Sequence, residues 1–368
     1  MFRDAARKFF ATEVMPYHDE WEEKGHISRE CWQKAGELGY LCMTVPEAYG
    51  GPGADFLYSV IMMEEQSYAY TSGPGFSLHT DIVAPYLVHY GSEEQKQKYL
   101  PPMVSGELIT AIAMTEPGTG SDLQAVKTTA LKSGDHYVLN GSKTFITNGY
   151  MSDLVIVVAK TDPAAGAKGV SLFLVETGWE GFSKNAPLKK IGMKAQDTCE
   201  LYFDDVKVPA ENLLGQEGAG FMYLMQELPQ ERLLIGIIGL AAAEKVLEDT
   251  KRYCKERHAF GRPILKFQNT RFTLAEMETE VEMARAYLDR CIELHLQGEL
   301  DATRAAKAKL ACSDIQCKVV DQCLQLHGGY GYIWDYPVAK AYADARVQKI
   351  YGGTNEIMKE LIGRAMED

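Results

Sequence analysis

Glu231 stands where a carboxylate is costly. The stretch LPQERLLIGIIGLAA, residues 228–242, places it at the head of a run of Leu, Ile, Gly and Ala. Arg232 is next to it in sequence but cannot face it, because adjacent helical residues point in different directions. Two chemistries suit the position. An acid near a helix start complements the helix dipole, worth ~0.3–1 kcal/mol, and Pro229 suits a first turn. Alternatively, Leu234, Ile235, Ile238 and Gly239 line an apolar slot beyond it. Water exclusion then raises the carboxyl pKa and poises Glu231 nearer neutrality.

Four other stretches could hold a cofactor. In AMTEPGTGSD (113–122) two glycines flank Thr119, and Ser121 and Asp122 follow. Small residues let backbone N–H groups approach a ligand, and a turn leaving a strand has the same look. In TFITN (144–148) strand alternation puts Phe145 and Thr147 on one face, an aromatic and a hydroxyl that suit a flat ring and its edge, or a barrel wall. In QLHGGYGYIWDYPVAKAYADAR (325–346) a helix ends at His327 and Gly328, Gly329 and Gly331 follow, more glycine than a helix stop requires. In YGGTNEI (351–357) Thr354 is a good N-cap, and free N–H groups at a helix start attract anions and carbonyl oxygens.

Other chemistries are excluded or find no motif. No G-x-G-x-x-G opens a helix after a strand, and there is no Walker loop and no H-E-x-x-H. The eight cysteines form no C-x-x-C and suit neither zinc nor a disulfide framework, so no metal is expected and reduced core thiols are. A net charge of −13 without a basic stripe argues against nucleic acid. No apolar run reaches the ~18 residues of a membrane span. The amphipathic start, MFRDAARKFFATEVMPYHDEW, lacks a secretory or transit pattern.

These residues need elements to position them, and 368 residues suggest two or three domains. Residues 1–109 carry apolar residues at helical spacing. At about residue 110 the period becomes two, and residues 110–214 read as an antiparallel barrel or sandwich. TTALKSGDHYVLNGSKTFITNG reads as strand, turn, strand, turn, strand, with Asn140-Gly141 as a hairpin turn. DLVIVVAKT, GVSLFLVET and CELYFDDVKVP are further strands. From about 217 long amphipathic helices return, and residues 215–368 read as an antiparallel four-helix bundle.

Taken together, AMTEPGTGSDLQA, QLHGGYGYIWDYPVAKAYAD and ERHAFGRPILKFQ resemble the signatures of the acyl-CoA dehydrogenases, and the resemblance runs from the first helix to the last. Within that family the chain looks most like the long-chain branch. The resemblance implies an N-terminal helical domain, a middle antiparallel β-barrel, a C-terminal four-helix bundle, FAD, and α,β-dehydrogenation of a fatty acyl-CoA in β-oxidation. It implies that Met114, Thr115, Gly120 and Ser121 contact flavin or pyrophosphate. Phe145, Ile146 and Thr147 would cover the flavin ring, Thr147 near N5. Arg257, Phe260, Gln268 and Gln325, Leu326, His327, Gly328 and Gly329 would reach the FAD of a neighbouring subunit in a homotetramer, a dimer of dimers. Thr354, Asn355 and Glu356 would complete the cofactor site. Many relatives place their catalytic Glu where this chain has Gly352. In the long-chain and isovaleryl branches it comes from a bundle helix, at the position of Glu231. Glu231 would then take the α-proton while the β-hydride goes to flavin N5, with Ser121, Pro229, Gln230, Arg232, Gly352 and Gly353 around the acyl-CoA and Glu356 as the rival base. Gly352 leaves space near the thioester for a branched chain. The implied acceptor is electron-transfer flavoprotein, and the compartment is the mitochondrial matrix or a bacterial cytoplasm. The competing readings are a branched short-chain, isovaleryl-type dehydrogenase, an acyl-CoA oxidase, which usually carries a further C-terminal domain, and a non-catalytic scaffold.

Overall fold

A computed structural model describes residues 1–367; Asp368, the last residue of the expected C-terminal domain, lies outside the described residues. The chain folds as helices, then a sheet, then helices. The N-terminal helices are α1 (Phe2–Phe9), α2 (His18–Lys24), α3 (Arg29–Glu37), α4 (Phe56–Tyr68), α5 (Ala84–Tyr90) and α6 (Glu93–Val104). Side chains start several of them: Ser28, Asp55 and Ser92 cap α3, α4 and α6, and Ser92 with Gln95 forms a capping box. A π-helical turn, Leu78–Val83, leads into α5. Such turns displace side chains from the regular spiral and are frequent at functional sites.

The strands are β1 (Thr110–Ala113), β2 (Thr129–Ser133), β3 (His136–Thr147), β4 (Leu154–Lys160), β5 (Val170–Glu176), β6 (Phe182–Lys184), β7 (Thr198–Pro209) and β8 (Leu213–Leu214). They form one eight-stranded sheet in the order β6-β7-β3-β2-β4-β5-β8, with β1 on β4. Two expectations change here. No ladder joins β6 to β8 among the described residues, so the sheet is not a closed barrel. Nor is it wholly antiparallel, because β1 and β2 both meet β4 in parallel. Period-two alternation splits β4 between two cores. Leu154, Ile156 and Val158 pack with the N-terminal helices, while Val155, Val157 and Ala159 join Phe173, Leu201 and Phe203 on the other face.

The Asn140-Gly141 hairpin is also corrected. β3 runs straight through it, and the β2–β3 turn lies at Gly134, which has φ +65°. Asn140-Gly141 marks a bulge instead, where the register with β7 slips. Gly141 has no room for a side chain, since a Cβ would meet Thr128 at 2.5 Å. Close backbone approach, rather than a chain reversal, requires this glycine.

The C-terminal helices are α7 (Gly220–Glu256), α8 (Gln268–Leu296), α9 (Ala302–His327), α10 (Pro337–Ala345) and α11 (Asn355–Arg364). Only three are long, so the bundle is not four equal rods. Phe56, Val60 and Met63 of α4 share a core with Leu233, Leu234 and Ile237 of α7, so the N-terminal layer fills one side of it. α7 begins about three turns before Glu231 and carries Pro229 inside it. Glu231 therefore sits mid-helix, out of reach of the helix dipole, whose effect fades within the first turn.

Candidate active site

The sheet and the helices enclose a cavity of about 560 Å³. The sheet side supplies Met114, Thr115, Gly120, Ser121, Phe145, Ile146 and Thr147; α7 supplies Glu231, Arg232, Leu234, Ile235 and Ile238; the turn before α11 supplies Gly352 and Gly353.

The sheet wall is built on a buried ion pair. Lys143 Nζ lies 2.9 Å from Glu116 Oε1 and donates to the Met114 carbonyl at 3.0 Å. The Glu116 carboxylate accepts from the N–H groups of Lys127 and Thr128 at 2.6 and 3.0 Å. Burial works against the charge of Glu116, but Lys143 and these N–H groups hold its pKa below the usual range. Glu116 and Thr119 exchange two backbone hydrogen bonds, pinning the loop at its base. Gly118 and Gly120 then face open space, and Ser121 is exposed. At the end of β3 a second bulge shifts the register between Lys143 and Ile146. It puts Phe145 in the left-handed region, φ +60°, and throws its ring outward, 67% exposed. A strained backbone that presents a bare aromatic ring needs an apolar partner to cover it.

On the facing helix, Glu231 is 6% exposed. Burial, opposed by a hydrogen bond from Tyr86 and assisted by the charge of Glu227, raises its pKa to about 7. Tyr86 Oη donates to Glu231 Oε1 at 3.0 Å. Arg232 is equally buried; burial lowers its pKa, and its Nε has no hydrogen-bond partner. Gln316 Oε1, also on the cavity wall, is buried and unpaired too. Orphaned polar atoms around an apolar space are what a polar ligand would satisfy.

The Gly352–Gly353 turn is fixed from behind. Lys309 Nζ donates to the Gly353 carbonyl and to Asn355 Oδ1, each at 2.8 Å. Gly352 has φ +62°, and a Cβ there would meet Ile235 Cδ1 at 2.2 Å. The space left by glycine is thus taken by Ile235, against the expectation of extra room near a thioester.

Several expected residues lie elsewhere. Pro229 and Gln230 do not line the cavity, and Gln230 donates to the Asp81 carbonyl at 2.6 Å. Thr354 caps α11, Asn355 turns inward to Ser313 and Lys309, and Glu356 is exposed outside the cavity, which weakens its claim as a base. Gly239 packs against Gln316 rather than the slot. Arg257, Phe260, Gln268 and Gln325–Gly329, expected at a neighbour's FAD, stand apart from this chain's own cavity. There the Arg257 guanidinium lies 5.6 Å from the Tyr330 ring, the His327 ring stacks on Tyr253 at 4.2 Å, and Phe260 is 94% exposed. Sequence reasoning missed Tyr86, Leu78, Ile82 and Tyr70. Tyr86 carries no local signal, because its partner is 145 residues away.

Three sequence profiles cover nearly the whole chain: "Acyl-CoA dehydrogenase, N-terminal domain" over residues 1–107, "middle domain" over 111–206 and "C-terminal domain" over 218–367. The chain is 55% identical over 366 residues to the long-chain specific mitochondrial acyl-CoA dehydrogenase of Rattus norvegicus, covering 99% of this chain and 85% of that one. It is 39% identical to the mitochondrial isovaleryl-CoA dehydrogenase of Pongo abelii, covering 99% and 87%. The crystal structure of an acyl-CoA dehydrogenase from Geobacillus kaustophilus superposes with a TM-score of 0.99 at 51% identity, covering 100% of this chain and 97% of that one.

Proposed function

Since this chain belongs to the acyl-CoA dehydrogenase family, we propose that Glu231 is the base that takes the α-proton of its acyl-CoA substrate. The protein is an FAD-dependent acyl-CoA dehydrogenase, introducing a double bond between the α and β carbons of the thioester. The observation that carries the assignment is a buried carboxyl, with a pKa near 7, on the wall of the same cavity as the bare Phe145 ring.

The residues present fit the cofactor. Phe145 and Thr147 would meet the flavin ring, and the N–H groups and hydroxyl of the 114–121 loop its polar atoms. Bound FAD supplies the hydride acceptor. The chain's own groups do the rest. Ile235, Ile238 and Leu234 keep water from the carboxyl, so Glu231 gains a basicity matched to neutral pH. The Gly353 N–H, held in its turn by Lys309, would polarise the thioester carbonyl as an oxyanion hole does. Arg232 would offer its unpaired Nε to a polar atom of substrate or cofactor.

The slot supports a long acyl chain. It follows α7 from Glu231 past Ile235 and Ile238 to Ala242, about 16 Å at 1.5 Å per residue, with Tyr70 also on its wall. The homotetramer, with the Arg257–Gln268 and Gln325–Gly329 segments reaching a neighbour's FAD, is proposed from the exposed aromatic residues there and the family resemblance. Electron-transfer flavoprotein is the proposed acceptor; faster turnover with O₂ than with that protein would refute it. The compartment follows the source, matrix or bacterial cytoplasm.

Glu231→Gln tests the base. It should keep bound FAD and its yellow colour, lose about 10²- to 10⁴-fold in kcat, and resist anaerobic bleaching by acyl-CoA. A yellow variant turning over at the parent's rate would sink the assignment.

A further inference from the structure

On the reading of Glu231 as the base, we infer that Tyr86 and His89 of α5 are its positioning residues: Tyr86 directs and stabilises the ionised carboxylate, and protonated His89 cancels the charge of Glu227.

The geometry is a two-rung ladder between α5 and α7. Tyr86 and His89 are three residues apart, hence on one face of α5, and Glu227 and Glu231 are four apart, hence on one face of α7. On the inner rung Tyr86 Oη donates to Glu231 Oε1 at 3.0 Å. On the outer rung His89 Nδ1 lies 2.7 Å from Glu227 Oε1. Tyr86 is fully buried, and Glu227 and Glu231 are 7% and 6% exposed. His89 is exposed to solvent.

A second carboxylate one helical turn away, also out of water, opposes the ionisation of Glu231. A base must nevertheless be ionised before it can act. The ladder provides what each carboxylate needs. The phenol hydrogen bond favours the charged form of Glu231, and the imidazolium offsets the charge that Glu227 sets beside it. The remaining groups around the ladder do not replace this. Arg232 is on α7 itself and attracts Glu231 only through space; Tyr90 bonds Gln226 and also faces Glu227; the half-buried His295 of α8 faces Glu227 with its own pKa lowered by burial. His89, by contrast, has its pKa raised by Glu227, against burial and the charge of Lys96 on α6.

The sign pattern is the test. The acid limb of kcat/KM against pH is measured for one acyl-CoA in the FAD-loaded enzyme and four variants. Tyr86→Phe removes a donor to the charged form, and His89→Gln leaves Glu227 uncancelled; each should move the limb to higher pH by about one pH unit. Glu227→Gln removes the part of the opposing charge that His89 leaves uncancelled and should move it lower, by less than about one pH unit. The double variant His89→Gln/Glu227→Gln should behave as Glu227→Gln alone, because His89 acts only through Glu227. A packing role for these residues would lower the plateau without this alternation. His89 reaches solvent, so its variant decides the outer rung even if Tyr86→Phe fails to fold. A limb unmoved, or moved the same way in every variant, overturns the inference. Glu231→Gln separates the two levels: if it is inactive and the limbs do not shift, only the ladder falls; if it turns over normally, both fall.

Discussion

At the scale of single residues, the protein accepts a destabilising carboxyl at the position proposed for its base. Glu231 binds its proton more tightly folded than unfolded, because burial raises its pKa to about 7. A carboxyl with a raised folded pKa costs stability as the pH rises from the unfolded value, ~4.3, through about 7, and costs nothing below that window. Glu231→Gln should therefore be more stable than the parent at pH 8, by up to about 4 kcal/mol, and no more stable at pH 4. Denaturant melts at the two pH values measure this, and a gain equal at both would show that burial is not the cause. Activity runs the other way, since only the ionised form accepts a proton: kcat/KM should fall as the pH drops through about 7. The sequence showed Glu231 as anomalous but left two explanations standing. The length of α7 removed the dipole reading, and a helix start is poorly legible when Pro229 lies inside the helix.

At the scale of elements, backbone conformation decides what the slot admits. Gly352 sits at φ +62° against Ile235. Gly352→Ala should lose about 1–2 kcal/mol of stability from the left-handed backbone alone, and should raise KM for acyl-CoA because Ile235 must turn into the slot. Adding Ile235→Ala should recover part of the KM; a Gly352→Ala protein with parental melting and kinetics would contradict the contact. Tyr70 lies at φ +56° just past α4, where helices commonly use glycine. Its hydroxyl donates to Asp249 Oδ2 at 2.8 Å, and the residue lines both the slot and a second cavity of about 210 Å³. Tyr70→Gly keeps a backbone that suits glycine and removes the wall. Chains longer than the parent's optimum should gain about tenfold in kcat/KM; an unchanged chain-length profile would place the end of the slot elsewhere. The sequence marked Asn140-Gly141 as a turn for a sound local reason, yet pairing with β7 across 12-residue strands outweighed it, and the same glycine became a bulge.

At the scale of the whole molecule, no layer is self-sufficient: α4 completes the core of α7, and the N-terminal helices cover one face of the sheet. Phe260, Tyr332 and Ile333 remain outside, 94%, 87% and 48% exposed. If they are covered by a neighbour that shares its FAD, Phe260→Asp should weaken assembly and cofactor retention together, seen as a smaller sedimenting species and a lower flavin-to-protein ratio; a colourless tetramer or a fully yellow monomer would break that link. What the sequence determined by itself was the order of helix, strand and helix, the loop residues Met114 to Ser121 and Phe145 to Thr147, and the anomaly of Glu231, because each is written in local spacing and residue type. What only the tertiary structure decided was the open sheet, the filling of Gly352's space by Ile235, and the Tyr86 and His89 partners of α7's carboxylates. Those depend on which distant segments meet, and burial, the quantity that raises the pKa of Glu231 to about 7, exists only once they have met.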